Sequence, residues 1–261
     1  MKTLKEYIIE LLAEGKYFFT KQETLLVLNI NESQFRFQAY RLSQKKAIKK
    51  IVNNFYMIIP SEYSHLGSLP TNWIIDPLMK YLDQEYYIGL LSAAALYGST
   101  EQQPRVFQVI TDKTTKDIDL ERTKIKFHTF KYCYLSTKTV LTVPTGYVKV
   151  SKREQTIVDL VRFYNVSGYL SNVALVIKSL AEESDPEVLS HVIANEKTKA
   201  VLQRLGYIFE ITNFTELAKI VEVELSKRKI EYVLLRPDFH EKKGKKTGRW
   251  KLILNDSLEL E

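Results

Sequence analysis

The first 60 residues change hydrophobic period at one point, and that change leaves few folds open. In TLKEYIIELLAE, Leu4, Ile8, Leu11 and Leu12 stand at helical spacing, and Gly15 follows as a stop signal. Thr20 precedes KQETLLVL with Glu23 three residues on, the spacing of a capping box, which predicts a short second helix to about Leu28. Asn29, Ile30 and Asn31 form a turn. A third helix is predicted from about Ser33 to Lys46, with Phe35, Ala39 and Leu42 as its packing stripe. The period then shortens to that of strands. Ile48 to Val52 and Phe55 to Ile59 flank Asn53-Asn54, and asparagine tolerates the positive φ that a tight hairpin needs. Three short helices and a hairpin in this order match a winged helix-turn-helix, whose second and third helices form the reading unit.

Charge distinguishes one surface of this module. No acidic residue occurs between Ser33 and Ser61, while Arg36, Arg41, Lys45, Lys46, Lys49 and Lys50 supply six positive charges. Opposite the packing stripe, Ser33, Phe37, Tyr40, Arg41 and Gln44 share a face, with Gln34, Arg36 and Gln38 at its margins. Arginine and glutamine can make paired hydrogen bonds to guanine and adenine edges, and the lysines would face phosphates. These residues are the candidate contact with duplex DNA. A solvated basic helix, or a winged helix that contacts protein only, are the alternatives.

The net charge of +7 is concentrated at the two ends of the 261-residue chain. Residues 1–59 hold ten Lys and Arg against five Asp and Glu, residues 60–226 hold 18 against 20, and residues 227–251 hold ten against three. The second basic cluster, HEKKGKKTGR at 240–249, contains Lys242, Lys243, Lys245, Lys246 and Arg249. Gly244 and Gly248 would let its backbone approach a polyanion, making it a candidate second phosphate contact; a mobile, solubilising hairpin is the alternative.

Pro60 and SEYSHLGSLP carry the breakers of a linker, so the expected division is 1–60, a linker at 61–70, and a second domain at 71–261. DPLMKYLDQEYYIGLLSAAALYG predicts two helices, and RVFQVITDK, TKIKFHTF, TVLTVP and GYVKVS predict a sheet of four strands or more. SKREQTIVDLVRFY opens on Ser151 and Glu154 as a second capping box, and four further helical stretches follow. YVLLRP and RWKLILN are predicted strands around the basic loop. The fold class is therefore α+β: an N-terminal winged helix-turn-helix followed by a larger mixed α+β domain.

Several chemistries find no support in this sequence. A single cysteine, Cys133, permits neither an internal disulfide nor a cysteine zinc site, and is expected to be a buried thiol in a reducing cytoplasm. The opening residues lack a signal-peptide pattern, and no apolar run approaches the roughly 20 residues a bilayer requires, so no membrane partner is expected. His65, His128, His191 and His240 share no ligand spacing. Gly98-Ser99 followed by Asp117-Ile118-Asp119 has the residue types with which nucleotidyltransferases hold phosphates and metal ions. Yet 17 residues separate the two elements, Gly98-Ser99 closes a helix, and no third carboxylate follows in TKIKFHTF. No catalytic residue, metal or cofactor is expected. A nucleotidyltransferase or metal-dependent nuclease using Asp117 and Asp119 is the alternative.

The order of the N-terminal module, YYIGLLSAAALYG, FQVITDK, GYVKVSKREQTIVDL, LQRLGYIFE and RWKLILN resembles the antitoxin of the abortive-infection AbiE system, a bacterial type IV toxin-antitoxin family of phage defence. The likeness covers nearly the whole chain and centres on Tyr86 to Leu160. It implies a transcriptional autorepressor whose N-terminal domain binds inverted repeats upstream of its own operon. It further implies a C-terminal domain that counters a nucleotidyltransferase toxin without requiring a stable complex.

Overall fold

The computed structural model describes residues 2–100 and 104–260. Its mixed α+β architecture begins with α1 (Leu4–Ala13), β1 (Phe18–Thr20), α2 (Lys21–Leu28), α3 (Glu32–Gln44), β2 (Ile48–Val52) and β3 (Phe55–Ile58). It continues with α4 (Thr71–Leu82), β4 (Tyr86–Ile88), α5 (Leu90–Leu96), β5 (Val106–Thr111), β6 (Ile118–Leu120), β7 (Thr123–Thr129), β8 (Lys138–Val143) and β9 (Gly146–Ser151). The remainder is α6 (Arg153–Arg162), α7 (Tyr169–Ala181), α8 (Pro186–Asn195), α9 (Lys199–Ile211), α10 (Thr215–Ser226), β10 (Val233–Leu234), β11 (Lys245–Thr247) and β12 (Leu252–Leu254). Strands β4 to β9 share a six-stranded sheet, where four or more strands were expected.

Contacts within the chain define two compact units, the first comprising residues 1–86, 105–131 and 140–149, the second 87–104, 132–139 and 150–261. In the first, α1 and α3 press Leu4, Ile8, Leu11, Phe35, Ala39 and Leu42 into a common core with Phe19, Leu28 and Ile48. The packing stripe of α3 is thus the one its spacing predicts. β3 pairs antiparallel with β2, Ile48 opposite Ile58, and Asn54 takes the positive φ of the hairpin at 61°. On its other side β3 pairs with β1, a strand not foreseen because three residues carry too little pattern.

This hairpin is pinned to α4 by aromatic rings. Phe18 stacks on Phe55 at 5.5 Å, Phe55 stacks on Tyr81 at 4.7 Å, and the Tyr81 hydroxyl donates to the Asn53 carbonyl at 2.9 Å. Trp73 of the same helix meets Tyr17 and Tyr63 edge-on. In segment 61–70, Ser61–Tyr63 forms a 3-10 turn, and Ser68 and Leu69 are buried. Gly67 has φ +64°, and a Cβ there would lie 2.3 Å from a carboxylate oxygen of Glu121. In the same unit β7 pairs parallel with β5 along its length and antiparallel with β6.

The second unit is built around α6, in which every residue from Glu154 to Val161 is buried. A helix buried on all sides needs each polar group satisfied internally. Glu154 accepts from the Asp185 amide at 2.8 Å, and Thr156 donates to the Lys152 carbonyl at 2.9 Å. Two expectations are corrected here. The segment predicted as two helices also contains β4 between them, since Tyr86, Tyr87 and Ile88 form a strand buried on both faces. Ser151 does not cap α6: it ends β9, its hydroxyl lies 2.7 Å from that of Thr156, and Lys152 is the N-cap residue.

Candidate nucleic-acid interface

α3 begins one residue earlier than its pattern predicts because Asn31 caps it. The Asn31 side chain accepts from the Gln34 amide, and the Gln34 side chain accepts from the Asn31 amide, both at 2.9 Å. Gln34 therefore serves the helix terminus. Gln38 is also engaged: its carbonyl oxygen accepts from the Leu4 amide at 2.8 Å and ties α3 to the start of α1. Ser33, Arg36, Phe37, Tyr40, Arg41, Gln44 and Lys45 are exposed along the helix. The Arg41 guanidinium lies over the Phe37 ring, 5.5 Å from its centroid.

The cations of this surface have little compensation. Lys46 pairs with Glu121 at 3.2 Å, but among the described residues no carboxylate pairs with Arg36, Arg41, Lys45, Lys49 or Lys50. Between α3 and the hairpin runs an open groove of about 430 Å³, lined by Arg36, Tyr40, Ser43 and Lys50, with Asn53 and Asn54 at the hairpin turn. Lys21 also lines it, a residue that charge counting from Ser33 onward overlooked. Its ammonium sits 2.8 Å from Glu32, whose carboxyl the Lys21 hydrogen bond holds below the usual range.

The terminal basic cluster is arranged differently. Arg249 pairs with Glu222 at 2.7 Å and Glu210 at 3.3 Å and lies over the Trp250 ring. The Lys242 ammonium donates to the carbonyls of Pro237 and Phe239, and Lys246 lies over the Tyr232 ring at 5.2 Å. Lys243 and Lys245 are exposed. Gly244 is required by its own chain, since a Cβ there would lie 2.0 Å from the Leu254 carbonyl oxygen; Gly248 faces open space.

Asp117 precedes β6 and Asp119 is its exposed central residue, and both face the same lysine. Lys124 approaches Asp117 to 3.9 Å and Asp119 to 3.6 Å, and Asp117 accepts from the Phe127 amide at 3.3 Å. Gly98, with φ +72°, follows the end of α5. Among the described residues, no three His, Cys, Asp or Glu side chains gather in a group able to hold a metal ion. Cys133 is buried. No helix among them is long and apolar enough to cross a membrane.

Residues 87–211 match the family model of the AbiEi antitoxin C-terminal domain. This segment is an AbiEi antitoxin domain. None of the curated proteins matches the chain. Among solved structures, the RV2827C protein from Mycobacterium tuberculosis shares the fold, with a TM-score of 0.66 at 13% identity over 95% of this chain and 90% of that one. An antigenic nucleotidyltransferase-like protein from Paracoccidioides brasiliensis aligns with a TM-score of 0.34 at 12% identity, over 60% of this chain and 87% of that one. A score that low is no guide to fold or chemistry.

The AbiEi domain holds a buried polar network on α6. The Tyr87 hydroxyl donates to Asp159 at 2.8 Å, Gln155 donates to the same carboxylate at 3.0 Å, and Arg162 bridges Asp159 to Glu196. Burial pushes the Asp159 carboxyl upward, against the lowering pull of Arg162, Tyr87 and Gln155. The LQRLGYIFE motif of α9 organises the segment beyond the matched residues. Gln203 donates to the carbonyls of Glu231, Trp250 and Lys251, and Arg204 to those of Leu234 and Leu235. Glu210 accepts from the Trp250 indole. These hydrogen bonds seat the sheet β10-β12-β11 on the AbiEi helices.

Proposed function

We propose that this AbiE-type antitoxin is a DNA-binding autorepressor, and that its first three helices and hairpin act as a winged helix-turn-helix. α3 enters the major groove, the β2–β3 hairpin follows the phosphates, and the chain represses its own operon at inverted repeats. The AbiEi domain counters a nucleotidyltransferase toxin, without catalysis by this chain and without a stable complex. The observation that carries the DNA reading is the set of five cations, Arg36, Arg41, Lys45, Lys49 and Lys50, that form no ion pair with a carboxylate among the described residues. Cations left unpaired on one surface attract a polyanion and release its counterions on binding.

Binding of the full chain to the duplex upstream of its own reading frame, titrated against salt, tests this reading. Specific binding is expected. Lys49→Ala with Lys50→Ala should weaken specific and random duplex alike and make the salt dependence shallower, by about 0.9 in log–log slope for each phosphate that is no longer neutralised. A chain that binds neither duplex at low salt would refute it. The antitoxin arm is tested by relief of growth arrest on co-expression with the nucleotidyltransferase expected beside it in the operon. Variants of Lys243 and Lys245 in the same salt titration decide whether the terminal loop supplies a second phosphate contact.

A further inference from the structure

Phosphate attraction does not explain the exposed phenyl ring of α3 or the guanidinium stacked on it. Phe37 is 62% exposed on a surface that, Tyr40 apart, is polar or basic, and Arg41, one turn later, has its guanidinium over that ring. Among the described residues the ring is the partner of this guanidinium, with no carboxylate to draw it aside. A planar guanidinium stacked on an aromatic face keeps the edges of its fork free for two parallel hydrogen bonds, a geometry matched by the O6 and N7 acceptors of guanine. The phenyl ring itself can gain only from an apolar surface. In the major groove that surface is the C5-methyl group of thymine. The 5.5 Å between guanidinium and ring suits contacts with neighbouring base pairs better than with one.

We propose that Phe37 and Arg41 form a composite reader for a G·C pair beside a T·A pair, Arg41 donating to guanine O6 and N7 while Phe37 packs on the thymine methyl. The proposal rests on the DNA-binding reading above and assigns that surface its base preference. The pair works as a unit, since the ring that meets the methyl also holds the guanidinium in place. Phe37→Ala therefore costs part of the guanine discrimination as well as all of the methyl discrimination.

The full chain is used to select its best duplex from a randomised duplex library, and the selected duplex is then modified one atom group at a time. Replacing the contacted thymine by uracil should weaken wild-type binding about threefold, the worth of one buried methyl. Replacing the guanine by 7-deazaguanine should weaken it about tenfold. Phe37→Ala should abolish sensitivity to uracil, and Arg41→Ala should abolish sensitivity to 7-deazaguanine. Phe37→Leu, which retains an apolar contact, should keep sensitivity to uracil. Because both side chains are exposed, each variant is expected to unfold at the wild-type temperature. If selection enriches no sequence, the DNA-binding reading falls and this proposal with it. If a sequence is enriched but uracil weakens wild type and Phe37→Ala equally, or weakens neither, the DNA-binding reading stands and the composite reader is overturned.

Discussion

Gly206 of α9 faces the Trp250 indole so closely that an added Cβ would lie 2.1 Å from Cζ3. Trp250 is buried, and its indole nitrogen donates to Glu210 one turn further along the helix. Replacing Gly206 by alanine should force the ring outward at a cost of about 1–3 kcal/mol, the usual penalty for overpacking. Tryptophan fluorescence during denaturant unfolding measures it. Trp250→Phe in the same background should recover part of the loss, since the clashing atoms are absent from the smaller ring. A Gly206→Ala chain as stable as wild type would contradict this packing.

Gln38 and Arg41 occupy the same helix but should behave differently. Because Gln38 accepts from the Leu4 amide, Gln38→Ala is expected to lower stability by about 1 kcal/mol and to weaken specific and random duplexes equally. Arg41→Ala should leave the unfolding midpoint in place and reduce specific binding by about 1–3 kcal/mol more than random binding. Paired thermal unfolding and duplex titrations separate the two. Selective loss of specific binding in Gln38→Ala would return that side chain to the reading face.

Lys124 lies between Asp117 and Asp119 where a catalytic cation would have to compete with it. Calorimetric titration with magnesium and with manganese should reveal no tight site. Asp117→Asn and Asp119→Asn should each change stability by less than about 1 kcal/mol, as is usual for exposed ion pairs. Nucleotide transfer by the wild-type chain that vanishes in these variants would establish the enzyme reading instead.

Acid should loosen the C-terminal part of the chain. The Arg249 hydrogen bond holds the Glu222 carboxyl below its ordinary value of 4.5, and the Lys227 and Arg228 hydrogen bonds do the same for Glu224. At Asp238, burial raises the carboxyl, but hydrogen bonds from Tyr164 and Arg236 outweigh it and leave a net lowering. A carboxylate depressed in the folded state stabilises it fully above the unfolded value, and the contribution is lost as pH falls through the folded value. The contribution of these groups should therefore be complete and the unfolding midpoint flat with respect to them between pH 7 and about 5, and the midpoint should fall below about pH 4. Glu222→Gln should reduce that acid dependence. An acid-induced rise in the midpoint would refute the assignment.

The local features of the first 60 residues were legible because they are decided locally. Phe35, Ala39 and Leu42 are buried as their spacing predicts, and Asn54 has the expected positive φ. Features decided by distant partners were not legible. Tyr86, Tyr87 and Ile88 form a strand buried on both faces, and such a strand lacks the alternation that distinguishes it from a buried helix. Ser151 and Glu154 have capping-box spacing, but Thr156 and the Asp185 amide claim their side chains. At the candidate interface the basic run was plain, while the commitment of Gln38 to Leu4, 34 positions away, left no mark in the sequence. Nor did the neutralisation of Arg249 by glutamates on α9 and α10.

The stack of Phe55 on Tyr81 and the bridge from Lys46 to Glu121 bear on how such chains can evolve by recombination. A crossover in the 61–70 segment would bring a foreign N-terminal module against Trp73 and Tyr81 without the rings they now meet. It would also orphan Glu121, which closes on both Lys46 and Gly67. If α3 reads an operator as proposed, exchange of its specificity between relatives is thereby steered toward substitutions on the outer face of α3, whose exposed side chains take no part in these contacts. Lineages built this way should change the outer face of α3 residue by residue while inheriting the N-terminal module and α4 as one block.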